Sequence, residues 1–258
     1  YLNATSASAL TSAVRWAVAA AITLSVMFLS GGIYPFYAAV VLLVTYSLLD
    51  SVGMRKIGPL AAVAAILLFA LLLSSVKLLP VVDFTAGLAA EKDTQLTSVN
   101  IVYKSLLSRD QFLPNKDLET GRDLVPEGRQ KELDTLAGKI PWRWHEYSAY
   151  VGIIPLLLAA LSIVAFRRNW KLIAAALFFL VLAFGTYMPF GLWQLLRQLP
   201  FLGSLHGPSR FIIVFVFLAA LLAAKVLSAV KISSNKKIQA AVVAVIIVAV
   251  AADLFFVS

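Results

Sequence analysis

The residues best suited to chemistry in this sequence lie in three short segments next to long apolar runs. The first segment holds Asp83, which follows Pro80 by three positions. A carboxylate that stands just outside an apolar run is a candidate general base or substrate ligand. Asp is also a favoured N-cap, so the alternative is that Asp83 caps a short helix over residues 85–90.

The second segment combines aromatic and titratable side chains directly before an apolar run. It contains Trp142, Trp144, His145 and Glu146. Trp collects at membrane interfaces because its ring is amphipathic, so an aromatic belt explains the cluster. In the functional alternative, Trp142 and Trp144 stack on a sugar or cover a lipid-linked substrate. His145 or Glu146 then binds that substrate or exchanges a proton with it.

The third segment opens another apolar run and contains His206, Pro208, Ser209 and Arg210. Pro suits the first turn of a helix, and a helix N-terminus offers free N–H groups and a positive dipole end. Together with Arg210, Ser209 and His206, such an end predicts a phosphate site. The alternative is a plain helix start whose Arg210 reaches the membrane interface.

Long apolar runs surround these segments and must position them. Hydrophobic residues make up 61% of the 258 residues, and the mean hydropathy is +0.89. A membrane span needs about 20 apolar residues, and its backbone must be satisfied internally, so the runs predict helices. Seven runs qualify: residues 13–30, 33–49, 57–79, 147–166, 170–188, 211–230 and 238–257. The predicted fold is an all-α polytopic membrane protein with about seven transmembrane helices.

One polar stretch divides the spans into three regions. Residues 1–79 hold three spans, residues 80–146 form a long loop with short helices, and residues 147–258 hold four more spans. Within the loop, residues 97–108 predict an amphipathic helix with its apolar side in the membrane interface. The apolar face would contain Val99, Val102, Tyr103, Leu106 and Leu107, with Ser105 elsewhere.

The last span contains an acid, Asp253, near its end. Acids inside a membrane are costly and often functional. Alternatively, Asp253 simply reaches the outer interface.

The distribution of charge predicts how the spans are oriented. The net charge is +9, but the surplus is confined to alternate connections, which is the pattern of short cytoplasmic loops and not of a nucleic-acid-binding surface. The basic residues assigned to the cytoplasmic side are Arg15, Arg55, Lys56, Arg167, Arg168, Lys171, Lys225, Lys231, Lys236 and Lys237. The long loop 80–146 and residues 190–210 then face outward. The chain has no cysteine, so it cannot bind a metal through thiolates, and it has no His-Glu-x-x-His zinc motif. The sequence therefore assigns no residue to a metal and identifies no cofactor.

Four segments in this order resemble the YfhO-like family of bacterial membrane proteins, which are related to the GT-C glycosyltransferases. They are residues 28–35, residues 78–83, residues 146–159 and residues 199–211. Where the family tends to have Arg-x-Pro-Ser-Arg, this chain has His206 in place of the first Arg and keeps Arg210 as the second. Asp83 stands where the family often has Glu.

The resemblance implies a multi-pass enzyme of the bacterial plasma (inner) membrane. Such an enzyme transfers a sugar from a polyprenyl-phosphate carrier to a cell-envelope glycopolymer on the outer face. The family's main catalytic acid usually lies in a first external loop. Because the chain starts at Tyr1, we expect that loop to lie upstream. The alternatives are a lipid-linked glycan ligase or polymerase, a transporter or flippase, and a scaffold for envelope assembly.

Overall fold

The computed structural model describes residues 2–86, 97–107, 147–188, 191–198, 205–229 and 235–256. These residues form helices and connecting turns, with no strand among them, so the predicted all-α class is confirmed for this part of the chain. The chain divides into two compact units, Tyr1–Glu91 and Lys92–Ser258. Each unit is described by itself below, and the predicted boundaries at 79/80 and 146/147 stay predictions.

The described part of the first unit, residues 2–86, contains four helices. They are α1 (Leu2–Leu29), α2 (Ile33–Met54), α3 (Gly58–Leu73) and α4 (Ser75–Ala86). A short turn separates α1 from α2, and Gly31 in this turn has φ +90°. The first three helices pack against one another, and α4 contacts α3.

Small residues let α1 and α3 approach closely. Ala21, Ser25 and Ala70 are all buried at this contact, and the Ser25 hydroxyl lies 2.8 Å from the Ala21 carbonyl oxygen and 3.1 Å from that of Ala70. Small side chains four residues apart are a common way for membrane helices to associate, because the backbones can then meet. The hydroxyl adds a polar link between two otherwise apolar helices.

The third predicted span, residues 57–79, is not continuous. The helix breaks at Ser74, and α4 leaves α3 at an angle of 81°. Within the turned segment, Lys77 Nζ donates hydrogen bonds of 3.1 Å to the carbonyl oxygens of Phe28 and Leu29, and it lies 5.7 Å from the centroid of the Phe28 ring. Because the last carbonyls of a helix carry partial negative charge, this ammonium group holds α4 against the end of α1.

Within the residues that the structure describes, the second unit contains six α-helices and two short 3₁₀ turns. The helices are α5 (Val99–Leu107), α6 (Ile153–Leu161), α7 (Phe166–Ala183), α8 (Leu192–Arg197), α9 (Ile212–Ala229) and α10 (Lys236–Phe255). The 3₁₀ turns are Ser162–Ala165, between α6 and α7, and Pro208–Phe211, before α9. The helix α9 packs against both α6 and α7.

The contacts along α9 give the directions of its two neighbours. In α7, Arg168 lines a cavity together with Lys225 near the end of α9, whereas Phe179 meets Phe211 at the start of α9. In α6, Pro155 shares a groove with Ala220, and Leu161 at the end of α6 shares the Arg168 cavity. Hence α6 runs in the same direction as α9, and α7 runs in the opposite direction.

Among the residues that the structure describes, five helical segments are long and apolar enough to cross a membrane, or six if α3 and α4 are counted as one bent span. Seven spans were predicted, so the full number is not confirmed. Two features account for the difference. The predicted span 57–79 is bent, and the predicted spans 147–166 and 170–188 fall in one run of 31 residues, Ile153–Ala183, when length and composition alone are considered.

The helix predicted over residues 97–108 is confirmed as α5, and its buried side differs in part from the predicted apolar face. Val99 and Tyr103 are exposed, whereas Ile101 and Ser105 are buried. The reason is a tertiary contact, since the Ser105 hydroxyl donates to the Tyr147 carbonyl and the Val151 N–H donates to the Leu106 carbonyl over 3.2 Å. These bonds attach α5 to the extended segment that precedes α6.

Candidate functional site

The predicted aromatic and titratable cluster is not described by the structure. Trp142, Trp144, His145 and Glu146 all lie outside the described residues. Their predicted roles as a sugar platform and as proton-transfer or binding groups therefore stay predictions.

Asp83 lies in the first unit, in the last turn of α4, and its side chain is exposed. Pro80 directly follows the predicted span 57–79, yet it lies inside α4, and the helix breaks earlier, at Ser74. Asp83 is therefore a residue within a helix and not an N-cap for the helix predicted over residues 85–90. Its role as a base stays a prediction.

The residues predicted for phosphate binding begin the helical run of α9. Gly207, with φ +73°, turns the chain into the 3₁₀ turn Pro208–Phe211. Ser209 is only 2% exposed, whereas His206 and Arg210 are partly exposed. The Arg210 N–H donates to the Gly207 carbonyl over 3.1 Å, so one N–H of this end is already occupied. An anion here would meet the His206 and Arg210 side chains and not the Ser209 hydroxyl.

An aromatic contact holds this helix start in place. The helix α8 lies in the connection 190–210 that was predicted to face outward, and its Trp193 is buried. The Trp193 ring lies 5.9 Å from the Phe211 ring, and Phe211 lies 5.9 Å from Phe179 of α7. Three rings from α7, α8 and the 3₁₀ turn thus fix the backbone that carries Arg210.

The structure also brings together a polar pair that sequence reasoning did not assemble. Tyr150 lies in the extended segment before α6, and its hydroxyl donates a 2.7 Å hydrogen bond to Asp253 Oδ2 near the end of α10. Both side chains are half-buried. Asp253 was noted as an acid inside the last span, but nothing in the sequence pointed to Tyr150 as its partner.

A glycine makes room for the carboxylate. Gly152 has φ +81° and ψ 161°, a conformation essentially confined to glycine. A Cβ atom at this position would lie 2.7 Å from Asp253 Oδ2. The absence of a side chain at Gly152 therefore allows the Asp253 carboxylate to approach the backbone next to Tyr150.

The Tyr150–Asp253 pair lies on the wall of an open cavity of about 700 Å³. The cavity is also lined by Leu107 of α5 and by Ile153 and Ile154 at the start of α6. A carboxylate oriented by a hydroxyl donor can accept a hydrogen bond or a proton from a hydroxyl-bearing ligand. No group of three or more His, Asp or Glu side chains suited to a metal ion occurs among the described residues.

The polar pair and the phosphate-site residues lie at the same end of the second unit. Since α6 and α9 run in the same direction, Tyr150 before α6 and residues 205–211 before α9 share one end. Asp253 joins them through its hydrogen bond to Tyr150. Arg168 and Lys225 lie at the opposite end. The second unit thus has a basic end and an opposite end that carries the Tyr150–Asp253 pair and the Arg210 segment. Comparison with protein-family models, with curated proteins and with solved structures finds no match.

Proposed function

We propose that this chain belongs to a membrane glycosyltransferase that moves a sugar from a polyprenyl-phosphate carrier to a cell-envelope glycopolymer. The observation that carries the proposal is the Asp253 carboxylate, held by Tyr150 on the wall of an open cavity at one end of the spans. A lipid-linked sugar presents its reacting carbon at the membrane surface, so the enzyme needs a proton acceptor at such a place.

The proposed step is a single displacement at the anomeric carbon. The acceptor hydroxyl gives its proton to the Asp253 carboxylate while its oxygen forms a bond to the sugar. The bond between the anomeric carbon and the phosphate oxygen breaks, and its electron pair goes to the departing polyprenyl phosphate. Arg210 stabilises the charge on that phosphate. Asp83 is the rival base, and Trp142 and Trp144 are the proposed sugar platform.

We further propose the seven-span topology with the Tyr150–Asp253 end outside the bacterial plasma membrane and residues 80–146 on the same side. The opposite directions of α6 and α7 along α9 support two crossings in this region. A single crossing by Ile153–Ala183 would bring Arg167, Arg168 and Lys171 to the middle of the bilayer, which costs about 3 kcal/mol or more for each charge. A turn at Ser162–Ala165 keeps them at the basic end.

The experiment is a transfer assay with the full-length protein in liposomes. A polyprenyl-phosphate-linked radioactive sugar and purified envelope polymer are supplied, and incorporation into the polymer is measured for wild type, Arg210→Ala and Arg197→Ala. The control removes a second partly exposed cation from the nearby helix α8. We expect Arg210→Ala to lower transfer by about 10- to 1000-fold, as loss of a charge-stabilising group does elsewhere. Equal rates for all three proteins would remove Arg210 from the proposed site.

The same assay distinguishes a glycosyltransferase from a lipid-linked glycan ligase. A lipid-linked glycan ligase would use these outer residues as well, but it would join a preformed glycan chain and not a single sugar. Replacement of the lipid-linked sugar by a lipid-linked oligosaccharide identifies that activity by the size of the product. A transporter is less favoured, because the charges flank the spans and a transporter typically binds its substrate near the bilayer midplane.

A further inference from the structure

A second cavity lies at the basic end of the second unit, where the end of α6, the start of α7 and the end of α9 meet. Its volume is about 220 Å³, and two cations, Arg168 and Lys225, line it. Asn169 and Ser228 supply further polar groups, and Leu161 and Val164 form part of its apolar wall. The cavity thus joins a cationic region to an aliphatic one.

The two cations repel each other unless an anion lies between them. No acidic side chain lines this cavity within the part of the chain that the structure describes. An anion that comes from outside the protein would therefore be attracted by Arg168 and Lys225 together, with donors available from guanidinium and ammonium groups. Asn169 is nearly buried beside them and restricts the space to a small headgroup.

The apolar wall distinguishes a lipid from a free ion. Val164 is 89% exposed and Leu161 is 54% exposed, and these side chains continue from the cationic region onto the surface of apolar helices. A phospholipid has this arrangement of groups, with a charged phosphate followed by glycerol and acyl chains. Basic pockets between membrane helices are known sites for anionic headgroups.

We propose that this cavity binds an anionic phospholipid, with the lipid phosphate between Arg168 and Lys225 and the first acyl carbons against Leu161 and Val164. This proposal rests on the membrane location of the helices and not on glycosyl transfer. An inactive enzyme with a bound lipid is therefore compatible with it. Inorganic phosphate shares the charge of the headgroup and lacks the chains, so it serves as the probe for a plain anion site.

The experiment measures lipids retained by the full chain after purification from mixed phosphatidylglycerol and phosphatidylcholine micelles, by native mass spectrometry. The variants are Arg168→Ala, Lys225→Ala and the matched control Arg167→Ala, which removes the neighbouring cation that does not line the cavity. We expect about a fivefold loss of retained phosphatidylglycerol for each cavity cation removed and no change for the control. Phosphatidylcholine retention should be equal in all proteins.

Two controls show whether a loss reflects the missing cation or misfolding. Helix content is measured by circular dichroism, and the conservative variant Arg168→Lys, which keeps the charge, should keep most of the bound lipid. Equal phosphatidylglycerol retention in wild type and both cavity variants would overturn the proposal. Displacement of the lipid by millimolar inorganic phosphate would also overturn it, since the apolar wall would then contribute nothing.

Discussion

The hydroxyl of Tyr150 and the carboxylate of Asp253 are joined by a 2.7 Å hydrogen bond although 103 positions separate the two residues. The bond connects the segment before α6 to the end of the last helix, and it does so on the wall of a large open cavity. A charge-assisted bond of this kind is stronger than one between neutral groups and orients the carboxylate. It links the packing of the second unit to the group that we propose accepts a proton.

Gly152→Ala tests how closely the carboxylate must approach the backbone. The added Cβ would lie 2.7 Å from Asp253 Oδ2, and Gly152 has a backbone conformation that alanine disfavours by about 1–3 kcal/mol. We expect a lower melting temperature in detergent and a reduced transfer rate. The control is Gly58→Ala, where a Cβ meets nothing within 4 Å. If both variants melt like wild type, the close approach at Gly152 has no structural role.

Lys77→Met tests the contact that holds α4 against α1. The substitution keeps the length of the side chain but removes both hydrogen bonds to the carbonyls of Phe28 and Leu29. Bonds to charged groups contribute about 1.5–3 kcal/mol each when buried, and the half-buried position of Lys77 reduces this to about 1–2 kcal/mol in total. We expect a lower thermal unfolding midpoint than for Lys56→Met, which removes an exposed cation of the same unit. Identical midpoints would contradict the role of Lys77.

Ala21→Leu tests the close approach of α1 and α3. Ala21 is fully buried at this contact, and overpacking of such a site costs about 1–3 kcal/mol. Ala19→Leu places the same side chain on an exposed position of the same helix and should leave the protein unchanged. The measurement is resistance to unfolding in a series of sodium dodecyl sulfate concentrations. Loss of resistance in Ala19→Leu alone would mean that Ala19, and not Ala21, lies on the side of α1 that contacts α3.

Single introduced cysteines test the seven-span topology. No native cysteine competes for the label, because the chain contains none. In intact cells, a membrane-impermeant maleimide should label Gln194→Cys from outside. Asn235→Cys should react only after the cells are permeabilised. If Ile153–Ala183 crosses the membrane once, the two positions exchange sides and the labelling pattern is reversed. The reversed pattern would contradict the proposed orientation.

The helices could be predicted from the sequence because a long apolar run has few alternatives in a bilayer. The 81° bend at Ser74 could not be predicted, since residues 57–79 form one largely apolar run that is long enough to span a bilayer. Next to the bend, Lys77 donates hydrogen bonds to the carbonyls of Phe28 and Leu29 at the end of α1. These residues lie 49 and 48 positions earlier in the sequence. Likewise, the sequence places Ser105 off the apolar face of α5, and its burial depends on a hydrogen bond to the Tyr147 carbonyl, 42 positions away.

The candidate site was predictable in part. Asp253 could be singled out from the sequence because an acid inside a membrane span is costly and often functional. Its partner could not be found from composition or spacing, because Tyr150 resembles any other interfacial tyrosine. Gly152 was equally inconspicuous, since its importance depends on a backbone conformation and on the distance to Asp253 Oδ2. The burial of Ser209 could not be predicted either, because the sequence shows only that Ser209 is next to Arg210.

The most direct test of the account compares Asp253→Asn with Asp83→Asn in the liposome transfer assay. Asparagine keeps the shape of each side chain and removes its ability to accept a proton at neutral pH. We predict that Asp253→Asn lowers the transfer rate by about 100-fold or more, the usual contribution of a general base, while Asp83→Asn stays close to wild type. Full transfer by Asp253→Asn would contradict the account, and a loss only in Asp83→Asn would assign the base to the first unit.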